Sequence, residues 1–403
     1  MPNSTPVEIR TLKEFYDLMA ATRTVRFGVV GSLLNDEIVG DDAIVSLHHA
    51  LESLEAVPEE EGKKILALDS SRSIALDMEY EINEMRKDIF YLEEGEETFL
   101  EFLSDFHPGF DEYVEAGHEM LKDLDFNCFI TDRDGTINNY CARYLTSIQS
   151  IYNSVFITRF AQNKTRRPVI LTSAPLDGLV EISVNPENEI YYAASKGREC
   201  MDLEGRIRRL PVSSDKQEAI NRLNARLTEL TSQPEYEKFT FIGSGVQFKF
   251  GQSTVARQDI GTSIDPAESE AFLKTLEALV VELDPEAKNF RIEDTGLDVE
   301  VILTVETADD GLKDFDKGDG VRFLNTELDL QMFRGPHLVC GDTGSDVPML
   351  EAALELTSEV RAIYVTQNEE LAKCVTGLTD GALIVPEPDM LVTILGSLSP
   401  LKR

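Results

Sequence analysis

A chain of 403 residues, 42% of them hydrophobic, is long enough for two or three domains and apolar enough to build their cores. Its 74 acidic against 38 basic residues leave a formal charge of −36, which repels nucleic acid and anionic membrane and argues against both as partners. There is no run of about 18 apolar residues and no basic-then-apolar leader, so a cytoplasmic location is expected. Five scattered cysteines, none in a Cys-x-x-Cys pair, argue against a disulfide framework or a zinc site.

Taken in chain order, residues 1–124 read as a mostly helical N-terminal region. Helical apolar spacing runs through IRTLKEFYDLM, AIVSLHHALESL and residues 74–103, while VRFGVV (25–30) and KKILALDS (63–70) are short enough for strands. Nothing there spells out chemistry; His48 and His49 are adjacent, so a helix sends them to different faces.

The rhythm changes at Phe126. Strand-length apolar runs FNCFITD, RPVILTSA, HLVCGDT, RAIYVTQ and GALIVPE alternate with helical segments, which predicts an α/β fold with a Rossmann-like parallel-sheet core over 125–184 and 312–403. Between the second and third runs lies an inserted α+β cap, 185–311. It is expected to hold helices over 215–230 and 266–283 and strands in FTFIGSGVQFKFG, STVARQ, FRIEDTG and LDVEVILTV.

The chemistry gathers at strand ends. In FNCFITDRDGT an apolar run delivers Asp132 and then Asp134 into a tight turn, and burying such charge unpaired costs several kcal/mol at least. A carboxylate pair of this kind suits nucleophilic attack on phosphorus by Asp132, with proton handling by Asp134. Thr172 and Ser173 end the second run, Lys317 precedes the third, and Asp342 and Asp346 follow it. Ligands of parallel sheets bind beyond the carboxyl ends of the strands, where these groups can meet. A phosphomonoester dianion repels an attacking carboxylate, so the site needs positive charge: Lys317, and a cation whose oxygen ligands, such as Asp132 and Asp342, suit Mg²⁺. Asp346 can hold that cation directly or through water.

In this order the motifs TDRDGT, LTSAP, FDKGDGV and GDTGSDVPML resemble those of the haloacid dehalogenase superfamily of phosphohydrolases, over about two thirds of the chain. The resemblance implies that Asp132 is phosphorylated and then hydrolysed, that Asp134 protonates the leaving alcohol and later activates water, and that Mg²⁺ sits on Asp132, the main-chain carbonyl of Asp134, and Asp342. Relatives usually carry Gly-Arg after the hydroxyl residue, whereas Ser173 and Ala174 stand here, which leaves Thr172 and Ser173 as alternatives for the phosphate contact. Ion-pumping ATPases have threonine in place of Asp134 and need membrane helices, so a pump is excluded.

A cap between the second and third motifs resembles that of trehalose-phosphate, sucrose-phosphate and mannosylglycerate-type phosphatases. GVQFKFGQSTVARQD and DVEVILT are similar to their cap strands, which implies Lys249, Arg257 and Glu300 as sugar contacts beside Ser173. The run FITDRDGTINNYCARYLTSIQSIYNSVFITRFAQNK is most similar to the glucosylglycerol 3-phosphatase family. That resemblance implies a Mg²⁺-dependent phosphatase that converts glucosylglycerol 3-phosphate to glucosylglycerol, a compatible solute of salt tolerance; the synthase that makes the phosphate is an expected partner. Trehalose-6-phosphate phosphatase is the alternative. A regulatory protein whose acidic N-terminal region docks a partner is the reading from another class.

Overall fold

In a computed structural model, residues 5–67, 72–259, 262–306, 312–313 and 315–400 are described. The main sheet has eight strands, in spatial order Ala382–Val385, Val360–Val365, His337–Gly341, Phe126–Thr131, Thr165–Leu171, Tyr191–Ala194, Glu199–Met201 and Ile207–Arg209. The first six are parallel and the last two turn back antiparallel. The strand order reverses between Phe126–Thr131 and His337–Gly341, one continuing to each side, and the crevice that such a reversal opens lies at their carboxyl ends.

Because side chains alternate across a sheet, the central strands feed two cores. Phe129, Leu338, Cys340 and Ile363 face the helices Ile151–Lys164 and Pro388–Ser397, and the N-terminal helices share that same core. Ile130, Val339 and Ala362 face the other way, against Lys317–Glu327, Val347–Leu354 and Glu369–Leu378. The N-terminal region is thus not a tethered appendage. Its helices Leu12–Leu34, Asp41–Glu55, Glu79–Phe106 and Phe110–Leu121 bury Phe15, Leu47, Phe99 and Leu121 in the core of the main sheet. Gly117 permits the closest approach, since a Cβ there would stand 2.4 Å from the Ile394 side chain.

The cap is a four-stranded antiparallel sheet, in order Phe290–Asp294, Asp298–Leu303, Gln252–Ala256 and Val246–Lys249, backed by helices Ser214–Thr231 and Pro266–Leu283. Both helices start on side-chain caps, Ser213 and Asp265, and Pro266 occupies the first turn, where its missing N–H costs nothing.

Four expectations need correction. VRFGVV is not a strand but part of helix Leu12–Leu34, where Val29 and Val30 fall on the buried face and tertiary packing overrides β-branched propensity. Residues 74–103 are not all helical: Ser73–Leu76 is a strand, and the helix begins at Glu79. FTFIGSGVQFKFG is a strand only over Val246–Lys249, because Gly243 and Gly245 both take positive φ and turn the chain first. The main sheet also runs past the expected boundary at 184, since Tyr191–Ala194, Glu199–Met201 and Ile207–Arg209 all pair into it. The boundary expected at 311 and the last three residues of KKILALDS lie outside the described residues.

Candidate active site

Asp132 stands immediately after Phe126–Thr131, and Asp342 immediately after His337–Gly341. The backbone joins the two ends, Asp132 N donating to Cys340 O at 3.0 Å. Lys317 opens the helix Lys317–Glu327, whose Asp316 capping box fixes its first turn. The lysine is buried, and its Nζ lies 2.8 Å from Asp132 Oδ1 and 2.5 Å from Asp346 Oδ1.

Asp346 is a buried organiser. Its Oδ2 accepts from the backbone N–H groups of Asp342 at 3.1 Å and Thr343 at 2.9 Å, and from Thr343 Oγ1 at 2.9 Å. Burial pushes its pKa up, but Lys317 and these backbone donors outweigh that and hold the group below the usual carboxylate range. Asp132 goes the other way: burial drives its pKa well above the ordinary value, Lys317 opposes, and the charges of Asp346 and Asp342 add to the rise. Asp342 is pushed up to about 6 by burial and by Asp346. Its oxygens accept from Thr136 Oγ1 at 2.9 Å and from the Tyr140 hydroxyl. The approach is tight: Gly135 has φ +83, and a Cβ there would stand 2.3 Å from Asp342 Oδ2.

Asp132, Asp342 and Asp346 offer oxygens all within 4.8 Å of one another. Three buried carboxylates with one lysine among them leave uncompensated negative charge, and an all-oxygen donor set of this kind fits a hard dication such as Mg²⁺. Asp132 and Asp342 are the ligands that fit, since Asp346 already spends its oxygens on Lys317 and the 342–343 backbone. This gives a sign for stability. In the ion-free protein Asp342 titrates near 6 against 3.8 for the free group, so its charge opposes folding fully above about pH 6 and not at all below about pH 4. Mg²⁺ is therefore expected to raise the unfolding midpoint more at about pH 7.5 than at about pH 5.5, as differential scanning fluorimetry would read. Equal shifts at both pH values would count against these ligands.

Asp134 lines the same cleft as Asp132 and Lys317. The buried Arg133 guanidinium donates to its Oδ1, as does Ser147 Oγ at 3.0 Å. Thr172 N donates to Ala193 O at 2.9 Å, and Thr172 Oγ1 accepts from Ala174 N at 3.2 Å, which anchors that hydroxyl. Ser173 is less buried, and both residues line the cleft.

The cleft is about 380 Å³, with Asp132, Asp134, Thr172, Ser173 and Lys317 on the core side and Gln247, Lys249, Asp298 and Glu300 on the cap side. Strand alternation explains the cap set: Val299, Val301 and Leu303 point into the cap core, leaving Asp298 and Glu300 on the other face. Lys249 is buried 3.9 Å from Glu300, and burial lowers its pKa. Burial acts to raise that of Glu300, but Lys249 and Lys196 outweigh it and hold it below the ordinary value. Lys196 Nζ reaches Glu300 Oε2 at 3.4 Å from a core loop of left-handed residues, Ser195, Lys196 and Gly197.

Arg257 is the one expected residue that lies neither at the cleft nor in the carboxylate cluster of Asp132, Asp342 and Asp346. Its guanidinium forks onto Asp294 at 2.7 and 2.9 Å and onto Ser269 at 2.8 Å, inside the cap, while its neighbour Gln258 lines the cleft. Sequence reasoning missed Thr136, Tyr140, Ser147 and Lys196. Asp298 was within reach, being two residues from Glu300 on one strand.

Residues 129–391 match the family model for the C-terminal part of trehalose-6-phosphate phosphatase, and residues 11–109 match that for its N-terminal helical bundle domain. Among curated proteins, a trehalose-phosphatase of Caenorhabditis briggsae is 30% identical over 74% of this chain and 76% of its own length. An α,α-trehalose-phosphate synthase of Aphelenchoides avenae is 32% identical over 93% of this chain, which spans 30% of the length of that relative. Among solved structures, the C-terminal domain of C. albicans trehalose-6-phosphate phosphatase is similar with a TM-score of 0.49 and 15% identity, over 72% of this chain and 97% of that one. Glucosylglycerol 3-phosphatases and salt tolerance find no specific support in these matches, and the expectation that named them gives way to its alternative. With four fifths of its helical N-terminal region and nearly all of its core and cap inside those two matches, the chain belongs to the trehalose-6-phosphate phosphatase family.

Proposed function

We propose that this chain hydrolyses trehalose-6-phosphate to trehalose and inorganic phosphate through an aspartyl-phosphate at Asp132. The observation that carries the reading is that Asp132, Asp134, Lys317 and Thr172 share one cleft with a cap face of both charge signs, Lys249 with Asp298 and Glu300. The cleft volume falls in the roughly 300–1,000 Å³ range of small-molecule sites. Hydroxyl-rich sugars need donors and acceptors together, which Gln247, Lys249 and Glu300 supply.

Asp132 would attack phosphorus through a carboxylate oxygen, forming the acyl phosphate as the bond to the sugar oxygen breaks. Asp134, protonated in that step, gives its proton to the leaving oxygen; it then takes a proton from the water that attacks the acyl phosphate, which frees phosphate and restores Asp132. Lys317 and the Thr172 or Ser173 hydroxyl balance charge on the phosphoryl oxygens. A Mg²⁺ held by Asp132 and Asp342, with the Asp134 carbonyl, would neutralise the charge of the incoming phosphate. Association with the synthase that supplies the phosphorylated sugar remains part of this proposal, supported by relatives that are themselves named as trehalose-phosphate synthases.

Phosphate release from trehalose-6-phosphate, glucosylglycerol 3-phosphate and sucrose-6-phosphate, each with Mg²⁺, tests the reading. Trehalose-6-phosphate is expected to give a kcat/KM at least about tenfold above the others, a difference of about 1.4 kcal/mol in transition-state binding. Preference for either other ester would overturn it.

A further inference from the structure

Helix Glu79–Phe106 carries three buried or nearly buried polar side chains in its first two turns that make no use of their charge in any chemistry of their own. Each ends on the loop that follows Asp134. The Tyr80 hydroxyl lies 3.0 Å from Asn138 Oδ1 and 2.9 Å from Ile148 O. Glu81 Oε1 accepts from Arg143 Nη2 at 2.8 Å and from Thr146 Oγ1 at 2.5 Å. Glu84 Oε1 accepts from Asn139 Nδ2 at 3.1 Å. The residues so gripped are immediate neighbours of the two that hold the reacting groups: Thr146 precedes Ser147, whose hydroxyl donates to Asp134, and Asn139 precedes Tyr140, whose hydroxyl donates to Asp342.

Within the loop Asn138, Arg143, Thr146 and Ser147 are buried, so these hydrogen bonds are made away from water. A cavity of about 310 Å³ lies behind it, between the helix, the loop and the start of helix Pro388–Ser397, lined by Tyr80, Glu84, Lys87, Asn139, Tyr140 and Asp389. Tyr140 is 59% exposed and lines both this cavity and the active-site cleft. Buried hydrogen bonds of this kind fix the loop's position, and displacing a reacting group by about 1 Å can cost about 10²-fold in rate.

We propose that the N-terminal helical region is a positioning element of the active site: Tyr80, Glu81 and Glu84 set the 138–147 loop and, through Ser147 and Tyr140, the orientation of Asp134 and Asp342. The assignment rests on the phosphatase reading above. It gives residues 79–84 a role distinct from that of Arg26 and Asp88 on the same helical layer, whose buried pair at 2.5 Å joins two N-terminal helices to each other.

The test compares Tyr80→Phe, Glu81→Gln and Glu81→Ala in the full chain, with Glu93→Gln as control; Glu93 sits on the same helix but faces His48 at 2.7 Å. With trehalose-6-phosphate and Mg²⁺, Tyr80→Phe is expected to lower kcat about tenfold with KM within about twofold and the unfolding midpoint within a few degrees. Glu81→Gln keeps an acceptor for Arg143 and Thr146, so it should retain more kcat than Glu81→Ala, and Glu93→Gln should match wild type. Glu81→Ala leaves a buried guanidinium short of a partner and can fail to fold, but Tyr80→Phe keeps its ring and decides the matter alone. Wild-type kcat in folded Tyr80→Phe, or a loss that only tracks the unfolded fraction by circular dichroism, overturns the inference. Failure of the phosphatase reading is distinguished by the wild-type protein itself releasing no phosphate.

Discussion

Asp132→Asn is expected to abolish phosphate release, by about 10⁴-fold or more in kcat, in a protein that folds as well as wild type or better. An amide has no anionic oxygen to offer phosphorus, so the acyl phosphate cannot form, and neither Lys317 nor Asp134 can substitute for it. The fold should tolerate the change because the Asp132 charge is unwelcome where it stands: burial opposes it, and so do Asp346 and Asp342. Lys317 keeps Asp346 as a partner at 2.5 Å after the substitution. Phosphate release and the thermal midpoint, measured on one preparation, check both halves. Undiminished turnover would sink the nucleophile assignment, and a collapsed midpoint would show that the Asp132–Lys317 pair holds the fold.

Lys317→Met should have the opposite signature, a loss of both rate and stability. Among the described residues the lysine is the one cation placed between Asp132 and Asp346, buried, and its charge is held firmly in spite of burial by those two carboxylates. Removing one partner of a buried pair costs about 3–5 kcal/mol, because the remaining charge is left in the interior. The rate should fall by about 10²–10³, the usual effect of losing a preorganised group that stabilises charge in the transition state. Acid should rescue the stability in part, since protonating the carboxylates removes the repulsion that Lys317 had balanced. Urea unfolding at about pH 5.5 and pH 7.5 reads this; an equal loss at both pH values would mean that Lys317 acts through packing.

The parts of this site that depend on chain-local signals were legible in the sequence, and the parts that depend on distant contacts were not. Asp132, Asp342 and Asp346 announce themselves because an apolar strand that ends in acid is costly unless the acid is used, and helix Pro266–Leu283 forms over the residues its apolar spacing predicted. Tyr140 gives no such signal: it is a lone aromatic in a polar loop, and only the fold brings its hydroxyl to Asp342, 202 residues away. Arg257 misled for the same reason. It follows strand Gln252–Ala256, and its guanidinium forks onto Asp294 of Phe290–Asp294, two strands away beyond Asp298–Leu303, a contact that no single strand encodes. The run VRFGVV was misjudged because its β-branched residues also suit one face of a helix packed against other helices, here Asp41–Glu55 and Ile151–Lys164.

The alternation of strand Asp298–Leu303 also separates two demands on the same six residues. Val299, Val301 and Leu303 are committed to the cap interior, where a change of volume is felt at once, whereas Asp298 and Glu300 line the cleft and are held by polar contacts with Ser244, Lys196 and Lys249. Exchanges on the outward side can therefore change the chemistry of the cleft while the inward set keeps the cap folded, so one side of the ribbon is free to vary while the other stays fixed.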